Sequence, residues 1–212
     1  MSNNRPRRGL MLVLSSPSGA GKTSLSRRLA ADHADLELSI SSTTRGPRPG
    51  ESDGREYHFV TLDQFNGTMG GEGFLEWAEV HGNRYGSPKR PILDALESGK
   101  DVLFDIDWQG AMSIREQSPG DAVLVFILPP SMADLARRLH ARAQDSDEVI
   151  EGRLSRAKAE IAKSSEYEYV ILNDDFDLAY AELAHIYHAE RLKRARNPWV
   201  GPFVEALWNE EI

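Results

Sequence analysis

The sequence contains no cysteine, which excludes disulfide frameworks, thiolate metal sites, iron–sulfur clusters and cysteine nucleophiles, and suits a reducing cytoplasm. Long apolar runs are missing too. The longest are Leu10 to Leu14 and Ala122 to Leu128, far below the ~20 residues of a membrane-spanning helix. Arg5, Arg7 and Arg8 ahead of the first run imitate a secretory leader, but the run is shorter than the roughly 7 to 15 apolar residues such a segment needs, and a Ser/Gly stretch follows. Positive charge is also scarce: 25 Lys+Arg against 33 Asp+Glu leave a net charge of −8. Long nucleic acids should therefore be repelled, and any anionic ligand must be held by a local basic cluster. These absences describe a cytoplasmic protein with neither a membrane nor a nucleic acid as partner.

What is present is ordinary globular composition, 40% hydrophobic and 27% charged over 212 residues, enough for one folded unit carrying a small insertion. Apolar, β-branched runs alternate with helical patterns, the mark of βαβ units around a mostly parallel sheet. Strands are predicted at Leu10 to Ser15, Val102 to Ile106, Ala122 to Leu128 and Tyr169 to Leu172. Helices are predicted at Thr23 to Ala31, Trp108 to Glu116, Ser131 to Arg142, Asp147 to Lys163 and Asp177 to Arg194. Thr61 with Gln64 has capping-box spacing, and Ser87-Pro88 reads as the opening of a helix closed by Gly99. From 36 to 90 the style changes to short alternating segments between Gly/Pro-rich loops, as expected of a small, mixed, partly antiparallel insert. The expected partition is a core of 1–35, 91–130 and 166–196, an insert of 36–90, a helical hairpin of 131–165 and a tail of 197–212. In the tail Trp199, Phe203 and Leu207 recur every four residues, a packing face for the body or for a sister subunit.

The first strand runs into Ser16-Pro17-Ser18-Gly19-Ala20-Gly21-Lys22-Thr23 and then an amphipathic helix, the strand, loop and helix context of a phosphate-binding P-loop. Its glycines let backbone N–H groups converge on phosphate oxygens, Lys22 adds a mobile charge, and the Thr23 hydroxyl can ligate Mg²⁺. Ser16 stands where that pattern has Gly. Asp105 ends an apolar strand where it would reach such a metal through water. Further on, Arg45 and Arg48 flank Pro47 in a Ser/Thr-rich segment, a preorganised fork for a phosphate dianion.

The P-loop, Ser41-Ser42-Thr43-Thr44-Arg45 with Arg48, Tyr57-His58-Phe59, Phe74-Leu75-Glu76-Trp77-Ala78, Tyr85-Gly86-Ser87, Asp105-Ile106-Asp107-Trp108-Gln109-Gly110 and Asn173-Asp174-Asp175 together resemble the guanylate kinase family from about Leu10 to Ala195. The resemblance implies transfer of a phosphoryl group from ATP to GMP, and to dGMP, with Mg²⁺, on a P-loop core with a GMP-binding insert and an arginine-bearing lid. By that likeness Arg45, Arg48, Tyr57 and Tyr85 hold the acceptor phosphate, Ser41, Glu76 and Ser87 surround guanine, and Asp107 makes a polar contact in the same site. Asn173 falls on the ATP side, and of the hairpin arginines the likeness selects Arg138, Arg142 and Arg153, with Arg142 also on ATP. Relatives commonly have Gly where this chain has Ala143. Arg137 and Arg156 are assigned to a solvated helix face.

The base assignment has its own physical sense. A period of two in Phe74 to Val80 puts Phe74, Glu76, Ala78 and Val80 on one face, a carboxylate among apolar neighbours that needs donors. Guanine presents N1–H and N2–H₂ side by side, where adenine turns an acceptor. Asp107-x-x-Gly110 also mimics a regulatory GTPase motif, but the chain has no N-K-x-D base reader. The acceptor is already an anion, so no general base is needed; Lys22, Arg45, Arg138, Arg142 and Arg153 carry the chemistry by neutralising charge. His185 and His188 share a helix face with Glu182 and lack further metal ligands. Two other readings stay open: a noncatalytic, phosphopeptide-binding scaffold of the same fold, against which Lys22 and Thr23 argue, and a kinase for another nucleoside monophosphate, distinguished by Glu76 and Ser41.

Overall fold

A strand covered on both faces must be apolar at successive positions, and Met11–Ser15 is buried along its full length in the computed structural model, which describes residues 5–71, 73–80, 82–141 and 147–211. The chain runs β1 (Met11–Ser15), α1 (Lys22–Asp32), β2 (Leu36–Leu38), β3 (Ser42–Thr43), β4 (His58–Phe59), α2 (Leu62–Gly70), β5 (Phe74–Val80) and β6 (Asn83–Pro88). It continues as α3 (Lys89–Glu97), β7 (Asp101–Asp105), α4 (Trp108–Gln117), β8 (Ala122–Leu128), α5 (Met132–Ala141) and α6 (Asp147–Ile161). After a 3₁₀ segment, Ala162–Glu166, come β9 (Tyr169–Leu172), α7 (Phe176–Leu192) and α8 (Val200–Trp208).

The larger sheet has the order β2-β7-β1-β8-β9, and every pairing in it is parallel. Alternation within its central strands divides the core into two layers. Leu12, Leu14, Val123, Val125 and Ile127 face Leu25 and Leu29 of α1 and Leu183 and Tyr187 of α7. Met11, Val13, Leu124 and Phe126 face Ile92 and Leu96 of α3 and Ala111 and Ile114 of α4. Each fully buried aliphatic side chain contributes roughly 1.5–3 kcal/mol by leaving water, so this double layer makes the sheet a rigid base for loops at its carboxyl edge. The fold is the α/β, mostly parallel architecture that the alternating pattern implies.

A second, mixed sheet has the order β4-β3-β6-β5, antiparallel at β3–β6 and β5–β6 and parallel at β3–β4. Three local expectations change here. Leu36–Leu38, assigned to the insert, pairs with β7 in the large sheet, because its register with Asp101–Leu103 completes that sheet's edge. The strict alternation in β5 is broken by a register shift between Phe74 and Glu76. Phe74 and Leu75 are both buried as a result, Phe74 against Phe65 with ring centroids 4.5 Å apart and Leu75 in the core layer of α3 and α4. Ser87 does not cap α3; it lies in β6, Pro88 holds the N-cap position, and no side chain caps that end. The Thr61–Gln64 capping box forms in full.

Helices α5 and α6 pack through Leu135, Leu139, Ile150 and Ala157. In the tail Trp199 meets Phe203 edge to face at 5.8 Å and lies under Arg5 at 4.1 Å, but Phe203, Leu207 and Trp208 stay 47%, 53% and 88% exposed. Packing on the body therefore stops at the start of α8. Among the described residues no helix is long and apolar enough to cross a membrane.

Candidate active site

The loop Ser16–Gly21 joins β1 to α1 at the carboxyl edge of the large sheet, so the first N–H groups of α1 point into it. Gly19 and Gly21 have φ of +96° and +100°, conformations that cost an L side chain strain. A Cβ on Gly21 would also meet Asn173 Nδ2 at 2.2 Å. Asn173, buried at the end of β9, donates that amide to Ala20 O at 2.6 Å, and its own carbonyl accepts from Arg138 at 3.0 Å. Its side chain thus braces the loop from behind. The Ser16 hydroxyl donates to Pro17 O at 3.0 Å. Ser16 to Gly19, with Gly21 to Ser24, Asp105 and Glu160, line a cavity of about 290 Å³.

Register explains the pairing of Thr23 and Lys22 with Asp105. Leu14 lies opposite Asp105 across β1 and β7, so the carboxylate emerges beside the loop's first turn. Thr23 Oγ1 donates to Asp105 Oδ2 at 2.7 Å, Lys22 ion-pairs with the same carboxylate, and Lys22 Nζ donates to Ile106 O at 2.8 Å. Burial alone would raise the Asp105 pKa, but the Lys22 charge and the bonds from Lys22 and Thr23 outweigh it and hold the carboxyl below its usual value. An ionised oxygen ligand beside a Thr hydroxyl at a phosphate loop is the donor set a hard divalent cation takes.

The mixed sheet assembles the second half. Glu76 is 5% exposed; Ser87 Oγ donates to its Oε1 at 2.6 Å, and Ser41 Oγ lies 3.3 Å from Ser87 Oγ. Desolvation pushes the Glu76 pKa up to about 7, against the Ser87 contacts and helped by the like charge of Asp107. Arg45 pairs with both oxygens of Glu51 at 2.9 Å, and the rings of Tyr57 and Tyr85 lie 5.8 Å apart beside it. Arg48 is exposed, and its N–H donates to Glu51 at 2.7 Å. Asp107 caps α4, accepting from Gly110 N–H at 3.0 Å.

A cleft of about 520 Å³ is lined by Ser18 of the loop, Glu79 of the mixed sheet, Asp107 to Gln109 at the start of α4, and Arg153, Arg156, Ala159 and Glu160 of α6. Arg153 lines this cleft. Arg156, one turn further on the same side of α6, borders it too while remaining exposed, on the solvated face assigned to it. Arg138 is held by Asp134 Oδ2 at 2.5 Å and by Asn173 O, and Arg137 also pairs with Asp134 from an exposed position. Arg142 lies outside the described residues. Sequence reasoning missed Glu51 and Glu160. Glu160 borders both cavities, and burial with the nearby Asp107 charge raises its pKa; it stands three positions after Ala157 on a helix of mixed pattern, with no motif to mark it.

A parallel α/β sheet carrying a phosphate loop, a lysine and a Thr–Asp pair at its carboxyl edge defines a P-loop nucleotide-binding protein. The guanylate kinase family model matches residues 8–190. The chain is 65% identical over 210 residues to a guanylate kinase of Caulobacter vibrioides, covering 99% of each chain, and 55% identical over 204 residues to one of Maricaulis maris, covering 96% of this chain and 94% of the relative. The crystal structure of guanylate kinase from Anaplasma phagocytophilum superposes with a TM-score of 0.79 at 34% identity, covering 98% of this chain and 99% of that one. This chain belongs to the guanylate kinase family.

Proposed function

We propose that this protein transfers the γ-phosphoryl group of ATP to GMP, giving ADP and GDP, with dGMP as a further acceptor, in the cytoplasm. The observation that carries the base choice is Glu76: a buried carboxylate with lone pairs unspent, beside Ser87 and Ser41, suits the paired N–H donors of guanine. Arg45, Arg48, Tyr57 and Tyr85 are the acceptor-phosphate group, with Asp107 at the base side of the cleft. The loop from Ser16 to Thr23, braced by Asn173, takes the ATP phosphates. Lys22 has to exchange its bonds to Asp105 and Ile106 O for phosphate oxygens, which makes it a carrier of charge between resting and loaded states. Thr23 and Asp105 would hold Mg²⁺, directly and through water respectively; when bound, the ion screens the negative charge shared by the two substrates.

No side chain needs to remove a proton, because the attacking phosphate oxygen is already anionic. The work of the chain is to bring two polyanions in line, exclude water and neutralise the transferring group. Lys22, Arg45, Arg138, Arg142 and Arg153 supply that charge. The exposed apolar residues of α8 support association with a sister subunit, which light scattering would measure. The reaction itself is tested by coupled ADP release with ATP and each of GMP, dGMP, AMP, UMP, CMP and dTMP. GMP should be the best ribonucleotide acceptor by orders of magnitude, and Lys22→Ala should lower its turnover on the order of 10²-fold or more with the fold intact. Equal rates for AMP and GMP would overturn the base assignment, and binding without turnover would favour the scaffold reading.

A further inference from the structure

The turn Arg48-Pro49-Gly50-Glu51 hands its last side chain back to the arginine before it. Glu51 N–H donates to Arg48 O at 3.0 Å and Gly50 has φ +86°, the geometry of a tight turn with Pro second and Gly third. That reversal brings the Glu51 carboxylate over the incoming arm. One oxygen accepts the Arg48 N–H at 2.7 Å, and both accept from one terminal nitrogen of Arg45 at 2.9 Å. The other terminal nitrogen of Arg45 donates to Gly46 O at 2.6 Å. The guanidinium also lies 5.3 Å from the Tyr57 ring centroid and 5.8 Å from that of Phe59. The pair is mostly shielded, with the side chains 14% and 18% exposed.

We propose that Glu51 is a positioning residue for the acceptor phosphate: it sets the plane and rotamer of Arg45 before the nucleotide arrives. The inference rests on the acceptor reading of Arg45 given above. A long side chain that must stop moving to meet its ligand loses conformational freedom on binding, whereas one already pinned has lost it on folding. Glu51 also cancels part of the Arg45 charge, which works in the opposite direction. Positioning wins because Glu51 offsets only part of one charge in a site that also holds Arg48, while misplacing reactive groups by an ångström costs on the order of 10²-fold. The Arg48 amide, ahead of Arg45, holds the Glu51 carboxyl below its usual range, so this anchor stays charged at neutral pH.

The test is calorimetric titration of GMP alone, together with kcat and KM for each substrate, in wild type, E51A and E51Q. In E51A the Kd and KM for GMP should rise roughly tenfold while KM for ATP moves less than about twofold, the mark of a lost orientation at one site only. E51Q keeps one acceptor oxygen and should recover about half of that loss on a logarithmic scale. If E51A fails to fold by circular dichroism, the smaller E51Q shift carries the test. Unchanged or tighter GMP binding in a folded variant overturns the proposal, tighter binding showing that charge cancellation dominates. A wild-type protein inactive on GMP would instead end the acceptor reading itself.

Discussion

Two buried carboxylates in this protein meet opposite fates. Asp101, at the start of β7 and fully buried, accepts from both terminal nitrogens of Arg7, from Leu10 N–H and from the Tyr187 hydroxyl, each at 2.8 Å. Arg191 stands 3.5 Å away. Glu76 is almost as buried, but its bonds come from Ser87, and among the described residues no cation pairs with it. The charge that acts on it is the like charge of Asp107. Asp101 ties the N-terminal segment, the sheet and α7 together at the edge opposite the phosphate loop. Glu76 faces the N-terminal turn of α4, where a Cβ on Gly110 would sit 2.9 Å from its Oε2. A carboxylate whose lone pairs are all engaged belongs to the fold. One left short of donors keeps acceptor capacity unspent, which is what the proposed guanine contact would use.

The contrast breaks most sharply at Asp101. Asp101→Ala strands the Arg7 charge and the Tyr187 hydroxyl, and should cost about 3–5 kcal/mol of folding stability. Urea denaturation reads the loss, and KM for GMP in the folded fraction should be unchanged; a shift in KM would mean that the two ends of the sheet are coupled. Glu76→Gln should do the reverse. The catalytic efficiency with GMP should fall by at least ~2 kcal/mol of transition-state stabilisation, from a charged bond lost and a donor left unpaired. AMP should lose little, so the ratio of kcat/KM for the two nucleotides collapses. A ratio preserved within about threefold would make Glu76 a structural strand residue.

The smaller effect is on pH dependence. In the unfolded chain Glu76 titrates near 4.5, and in the folded protein near 7. Between those values the folded state holds a proton that the unfolded state has released. The stability contributed by neutral Glu76 is therefore complete below about 4.5 and lost as the pH rises through about 7. Glu76→Gln should remove that loss and be more stable than wild type at pH 8 by ~1–3 kcal/mol. Activity runs the other way: kcat/KM for GMP should climb as Glu76 ionises near pH 7, an inflection absent from the variant. The titration of GMP's own phosphate is common to both proteins and cancels in the comparison. Identical profiles would show that Glu76 does not titrate in this range.

Legibility differed between the sites in the same way. The phosphate loop is a contiguous run whose neighbours in sequence are its neighbours in space, so its strand, turn and helix could be read directly. Glu51 was harder to see: its role depends on a turn that folds it onto Arg45, six residues back. Asn173 was visible as part of a motif, yet its work as a brace for Ala20 exists only because β9 ends beside the loop. Arg156 reads as solvent-facing and is exposed, but that this side of α6 also borders the cleft is set by where the helix packs. The alternation in β5 overlooked a bulge, for nothing in Phe74-Leu75-Glu76 announces that both apolar residues will be buried.

By itself the sequence determined the chemistry available: an anion-binding loop with a lysine, a stiffened pair of arginines, a carboxylate in an apolar strand, and a double-sided apolar sheet to carry them. These follow from local rules of backbone conformation, periodicity and charge. Only the tertiary structure decided which carboxylate would be saturated and which left wanting. Asp101 and Glu76 both lie in strands, and their burial is nearly equal. Their difference arises from what the chain brings back from far away, Arg7 and Tyr187 to one and a neutral serine to the other, because the balance between desolvation and compensating bonds is set by partners distant in sequence.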